Sequence, residues 1–197
     1  RQMCIRDSHS KANALTDESM EIVAAAAADH GKGIIIHNDA QHFSAGVDLN
    51  AFRAYIEAED WEGIDGFLDR FQKAVCALKY TPVPVVGAPS GLAAGGGYEV
   101  LAHCDRLVVH TNSVMGLVEA GVGVVPGGGG IKDTFFRWHA AKDGWDEAAW
   151  QTWMNIGYGA TGSSPQLSAR MMYFRDGHDE TVTVSYTHLR AHETSLH

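Results

Sequence analysis

The sequence predicts an α/β domain, and three observations carry that prediction. Short apolar runs rich in β-branched residues, "GIIIH", "VPVVGA" and "RLVVH", read as strands buried in a parallel sheet. Between the first two lies a segment with helical periodicity. A length of 197 residues, 45% hydrophobic and 20% charged, is enough for one globular domain with a real core.

In chain order, "ALTDESMEIVAAAAADHG" opens a helix. Thr16 is its expected N-cap, Asp17 and Glu18 suit the positive end of the dipole, and Leu15 and Met20 occupy the staple positions. Gly31 is the expected stop. Gly33 to His37 follows as the first strand. From Asp60 to Tyr80, Ile64, Phe67, Leu68, Phe71, Val75 and Leu78 recur at helical spacing and mark one buried stripe. Pro82 and Pro84 end it. Val83 to Ala88 and Arg106 to His110 are the next strands, and "SVMGLVEA" (Ser113 to Ala120) a fourth. Two tryptophan-rich helices are expected over 131–142 and 146–156, and a last one from Ser164-Pro165, where proline suits the first helical position. Trp138, Trp145, Trp150 and Trp153 lie at near-helical spacing and read first as packing residues; ligand stacking is the other reading.

Composition limits the partners. A net charge of −9 with no Lys/Arg cluster argues against nucleic-acid binding. Three cysteines, Cys4, Cys76 and Cys104, an odd number without a CxxC, fit a reducing compartment. No apolar run approaches the roughly 18 residues of a membrane span, and no signal-peptide pattern is read, so a cytoplasmic location is expected. Residues 1–8, "RQMCIRDS", and 183–197, ending "HLRAHETSLH", share no amphipathic logic with their neighbours. They resemble translated sequencing adapters and are expected to be non-native, leaving residues 9–182 as a partial domain. His188 and His192 are spaced to share a metal, but no third ligand accompanies them, and no metal is expected.

The chemistry concentrates in glycine-rich turns. "GLAAGGGYEVLAHCD" (Gly91 to Asp105) lacks the lysine of a phosphate-binding loop, and Gly121-Val-Gly-Val-Val-Pro126 has proline where a dinucleotide fingerprint needs glycine. Ser90 in "APSGL" lacks the flanking glycine of a nucleophile elbow. A glycine turn opening a helix presents unpaired N–H groups, so Gly96 could donate to a developing negative charge, with Glu99 one turn later. "HFSAGVDL" (His42 to Leu49) could present the Val47 N–H beside it. "GLVEAGVGVVPGGGG" (Gly116 to Gly130) adds Glu119. Asp48 either caps the following helix or contacts substrate, Asp105 ends a helix or ties a turn, and His103 and Cys104 read as buried structural residues.

These three blocks, in this order and at these separations, resemble the signatures of the enoyl-CoA hydratase (crotonase) family, and "NALTDESM" resembles its first helix. The resemblance implies a crotonase-like spiral of repeated ββα units, here truncated at both ends. It implies an oxyanion hole formed by the N–H groups of Val47 and Gly96, acid/base carboxylates at Glu99 and Glu119, and substrate contacts at Ala45, Asp48 and Leu49. The implied reaction is addition of water to a 2-enoyl-CoA thioester in fatty-acid β-oxidation. By analogy Glu99 deprotonates the water and Glu119 delivers the proton to Cα, although the sequence leaves the roles exchangeable. No cofactor is expected, coenzyme A being part of the substrate. The tryptophan-rich region resembles the hydratase part of bifunctional proteins that also carry a 3-hydroxyacyl-CoA dehydrogenase, and the full-length protein is expected to be a homotrimer or larger. An enoyl-CoA isomerase of the same family and an inactive acyl-CoA-binding fragment are the alternatives. Without the family's opening strands and closing helices, the chain by itself is expected to be unstable or inactive.

Overall fold

A computed structural model describes residues 10–142 and 144–183 of the chain. The terminal segments expected to be non-native, and the His188/His192 pair, lie outside the described residues apart from residue 183.

Two sheets alternate along the chain. The first is wholly parallel, in the order β1 (Ile34–His37), β2 (Val85–Ala88), β4 (Arg106–His110), β7 (Glu180–Val182). The second is β3 (Leu92–Ala94), β5 (Val114–Gly116), β6 (Thr161–Gly162), with β3 and β5 parallel and β6 antiparallel. Each repeat sends one strand to each sheet and then a helix: β2, β3 and α4 (Gly96–Ala102), then β4, β5 and α5 (Gly130–Lys142). The segment after β1 follows the same course, since Ser44 bridges Ala93 of β3 before the chain enters α2 (Leu49–Glu57) and α3 (Trp61–Lys79). The expected ββα spiral is therefore present, and it brings the turn after each second-sheet strand to one edge.

Local signals position the helices. Thr16 and Ser19 form a reciprocal capping box at the start of α1 (Asp17–Ala28). Asp60 and Ser164 cap α3 and α7 (Pro165–Ala169) through side-chain oxygens that accept from Gly63 and Leu167 N–H. The buried face of α3, carrying Phe67, Phe71, Val75 and Leu78, joins one core with Met20, Ile34, Leu101, Leu107, Met115 and Leu117. Tyr98 and Tyr173 meet edge to face within it, 4.6 Å between centroids. Asp105 ties the α4–β4 turn, accepting the Val85 N–H at 2.8 Å and returning its own N–H to Val85 O at 3.0 Å.

Three expectations are corrected. Helix α1 ends at Ala28 with Asp29 as its C-cap, two residues before Gly31, which has no positive φ. The strand expected over 113–120 pairs only across 114–116, because its partner β3 is three residues long, and Glu119–Val122 forms a 3₁₀ turn instead. Of the four tryptophans, Trp138 alone is buried; Trp145, Trp150 and Trp153 of α6 (Trp145–Gly157) are 60%, 56% and 54% exposed. Trp150 and Trp153 stack on each other, 5.3 Å apart.

Candidate active site

The turn before α2 is built to leave an amide unpaired. Leu15 pairs with Val47 in a parallel bridge, donating its N–H to Gly46 O at 2.8 Å and accepting the Asp48 N–H at 3.0 Å. In that pattern the bridged residue's own groups face the other way, so the Val47 N–H points away from Leu15. Ser44 steadies the turn: its hydroxyl donates to Asn13 O at 2.7 Å and accepts from Gly46 N at 3.1 Å. Gly46, at φ +93°, is where the chain bends, and a Cβ there would lie 3.1 Å from Ala94 O and 3.5 Å from Gly96 N.

The second turn meets the first directly. Gly95 caps α4 with φ +53° and donates its N–H to Gly116 O at 2.8 Å. A Cβ on Gly96 would lie 3.0 Å from Val47 Cγ2, and one on Gly97 would lie 2.7 Å from Ser44 Cβ. The glycine triplet is thus a contact surface, with side-chain room absent at each position. Among the described residues, neither the Val47 nor the Gly96 N–H has a protein acceptor. Both open amides therefore come from turns in van der Waals contact, and Gly96 stands at the positive end of α4.

Two carboxylates flank this point. Glu119 lies against Gly95, where a Cβ would come within 2.9 Å of its Oε1. Its Oε2 is buried without a hydrogen-bond partner among the described residues. Burial pushes the Glu119 carboxyl upward, against the pull of its own and Val118's backbone N–H groups. Glu99, one turn into α4, is 1% exposed and accepts the Gly128 N–H at 2.9 and 3.0 Å and the Gly130 N–H at 2.8 Å. Burial raises its carboxyl to about 7, the Gly130 and Gly128 amides oppose that rise, and the Glu119 charge reinforces it. Both carboxyls are therefore raised, and Glu99 reaches the neutral range, where a proton can be given or taken.

The remaining expected contact residues lie partly or well exposed in the turn around Val47. Asp48 caps α2, its Oδ1 accepting the Asn50 N–H at 2.9 Å, which is one of the two readings of that residue. Ala45 is exposed and Leu49 is 53% exposed. Cys104 is buried, its thiol pushed up to about 12 by desolvation, and Sγ rests 3.6 Å from Val100 O. It has no nucleophile's environment. Sequence reasoning missed the amides of Gly128 and Gly130 as partners of Glu99; the run of four glycines after Pro126 was the available signal. No cluster of metal-ligating residues occurs among the described residues, and no helix among them is long and apolar enough to cross a membrane.

Comparison with known proteins bears on the fold and the lineage. The enoyl-CoA hydratase/isomerase family profile matches residues 5–138. The chain is 30% identical over 186 residues to a probable 3-hydroxyacyl-CoA dehydrogenase of Bacillus subtilis, covering 92% of the chain and 23% of that protein. It is 35% identical over 118 residues to a putative fatty acid oxidation complex trifunctional enzyme of Rickettsia felis, covering 60% of the chain and 16% of that protein. The chain thus spans less than a quarter of the length of either relative. Among solved structures, an enoyl-CoA hydratase from Bacillus anthracis superposes with a TM-score of 0.72 at 21% identity, over 93% of this chain and 67% of that one. Pseudomonas aeruginosa DspI gives 0.74 at 21% identity, over 95% and 67%. The two structures establish the fold, and the profile match across two thirds of the residues establishes the lineage: the chain belongs to the enoyl-CoA hydratase/isomerase family.

Proposed function

We propose that this chain is an enoyl-CoA hydratase unit. The observation that carries the reading is the meeting of two open amides, Val47 and Gly96, with two raised carboxyls, Glu99 and Glu119. A thioester oxygen placed between the two N–H groups would be stabilised as charge develops on it, and losing one such donor costs about 3 kcal/mol of transition-state stabilisation. One of the two glutamates, ionised, takes a proton from water as the water oxygen bonds to Cβ, and the other, protonated, gives a proton to Cα. The C=C double bond becomes C–C, and the sum is one water added. The two similar proteins named for 3-hydroxyacyl-CoA dehydrogenase and for a fatty acid oxidation complex support a second element. We infer that this unit works within a longer protein whose dehydrogenase part oxidises the hydroxyl that the hydratase introduces.

Hydration of crotonyl-CoA, followed by loss of enoyl-thioester absorbance, tests the reading in the 197-residue chain and in any longer product of the same gene. Turnover that falls at least about 100-fold in both Glu99→Gln and Glu119→Gln supports it. Conversion of a 3-enoyl-CoA without hydration of a 2-enoyl-CoA would assign an isomerase. Acyl-CoA binding without turnover, unchanged by both substitutions, would assign a binding module.

A further inference from the structure

Next to Glu99, a line of polar groups runs from Lys79 of α3 through Asp133 of α5 to His103, the C-cap of α4. The His103 ring is fully buried, with Nδ1 2.7 Å from the Glu99 carbonyl oxygen. A carbonyl only accepts, so Nδ1 carries the proton, and in a neutral imidazole Nε2 is then bare. Nε2 lies 3.0 Å from Asp133 Oδ2, near enough for an ion pair but without hydrogen-bond alignment. Asp133 Oδ1 is paired with Lys79, and Lys132 Nζ stands 4.0 Å from Oδ2. Burial pushes His103 down while the Glu99 carbonyl and Asp133 push it up. Two acceptors facing each other repel unless a proton lies between them, which makes this pair poor core filling.

The same ring touches the turn that grips Glu99. A Cβ on Gly129 would lie 2.9 Å from His103 Cε1, and Gly129 stands between the two residues whose amides hold the Glu99 carboxylate. The Asp133 backbone N–H continues this turn into α5 by donating to Gly129 O at 3.1 Å, and its carboxylate meets the turn only through the His103 ring. We propose that His103 and Asp133 are positioning residues for Glu99, together fixing the 128–130 turn against α4 so that the Gly128 and Gly130 amides stay on its carboxylate. The inference rests on the reading of Glu99 as an acid/base group.

Titration of Glu99 tests the proposal without requiring turnover. The carboxylic-acid infrared band that disappears in Glu99→Gln is assigned to Glu99, and its midpoint is followed with pH in the 197-residue chain. The charged groups facing Glu99 are Glu119 on the 3₁₀ turn and Asp133 on α5, with Lys79 and Lys132 behind Asp133 and His103 on its own helix. Asp133→Asn keeps an oxygen for Lys79 and offers an N–H to bare Nε2 while removing one negative charge, so the midpoint falls. Asp133→Ala also removes the carboxylate packed against His103 Nε2, so the ring under Gly129 loses its support; losing the two amides outweighs losing the charge, and the midpoint rises by about one pH unit, tenfold in ionisation constant. His103→Leu fills the space under Gly129 without the tie to Glu99 O, and it raises the midpoint in the same way, which covers the case of an Asp133→Ala chain that does not fold. The proposal is overturned if Asp133→Ala moves the midpoint down with Asp133→Asn, or if neither the Ala nor the Leu variant raises it. Failure of the hydratase reading shows separately, in the crotonyl-CoA assay.

Discussion

The carboxylate of Glu119 rests on Gly95: a Cβ built on that glycine would come within 2.9 Å of Glu119 Oε1. Gly95 also holds φ at +53°. Gly95→Ala therefore meets two obstacles, a strained backbone costing about 1–2 kcal/mol and a displaced carboxylate. Gly123 has φ +83° and open space around it, so Gly123→Ala meets the first obstacle alone. Urea denaturation should show a loss of stability in both variants, the larger in Gly95→Ala. Hydration of crotonyl-CoA should fall at least about tenfold further in Gly95→Ala, and equal activities would show that the Glu119 contact does not matter to the chemistry.

Glu99 makes stability depend on pH in a defined direction. Its carboxyl is raised from 4.5 to about 7 in the folded chain, so the fold binds that proton more tightly than the unfolded chain does. The contribution is complete below the unfolded value of 4.5 and is lost as pH rises through about 7. Glu99→Gln cannot ionise, and its own cost of replacing an acceptor oxygen with an amide is independent of pH. The difference between wild type and Glu99→Gln, measured by denaturation at pH 5 and pH 8, should shift by up to about 3 kcal/mol in favour of the variant at the higher pH. A difference constant across that range would mean that Glu99 titrates as an ordinary surface carboxylate.

What the sequence reveals here is set by how local each signal is. The strands β1, β2 and β4 and the helix α3 are legible because a continuous apolar run or a helical period is written within each segment. The end of α1 is less so, because the helix stops where the alanine run stops, with Asp29 as its C-cap, and not at the glycine two residues later that a C-terminal signal favours. The 3₁₀ turn at Glu119 is illegible for a different reason: the reach of β5 is limited by the three residues of β3, about 20 positions earlier. Helical spacing placed the tryptophans near one another but could not tell which face of α6 is covered. At the site, residue types and turns were readable, whereas the grip of Gly128 and Gly130 on Glu99 joins positions 29 and 31 residues apart and depends on α5 docking against α4.

The closing contact of the described fold offers a last test, in the opposite pH direction. Asp179 has a fully buried side chain, accepts the Leu107 and Arg175 N–H groups at 3.0 and 2.8 Å, and is forked by the Arg175 guanidinium at 2.9 and 3.1 Å. Burial alone would raise its pKa, but the Arg175 side chain and the two amides together hold it below 3.8. Its stabilisation is therefore present above the unfolded value of 3.8 and is lost as pH falls through the lower folded value. Asp179→Ala leaves two amides and a partly buried guanidinium without their acceptor, and should cost about 3 kcal/mol at pH 7. Asp179→Asn should cost less, since it keeps an acceptor oxygen for Leu107. Acid denaturation distinguishes charge from packing: removing the carboxylate should flatten the loss of stability below pH 4, whereas an unchanged acid limb in both variants would show that Arg175 and Asp179 act only by filling space against β4.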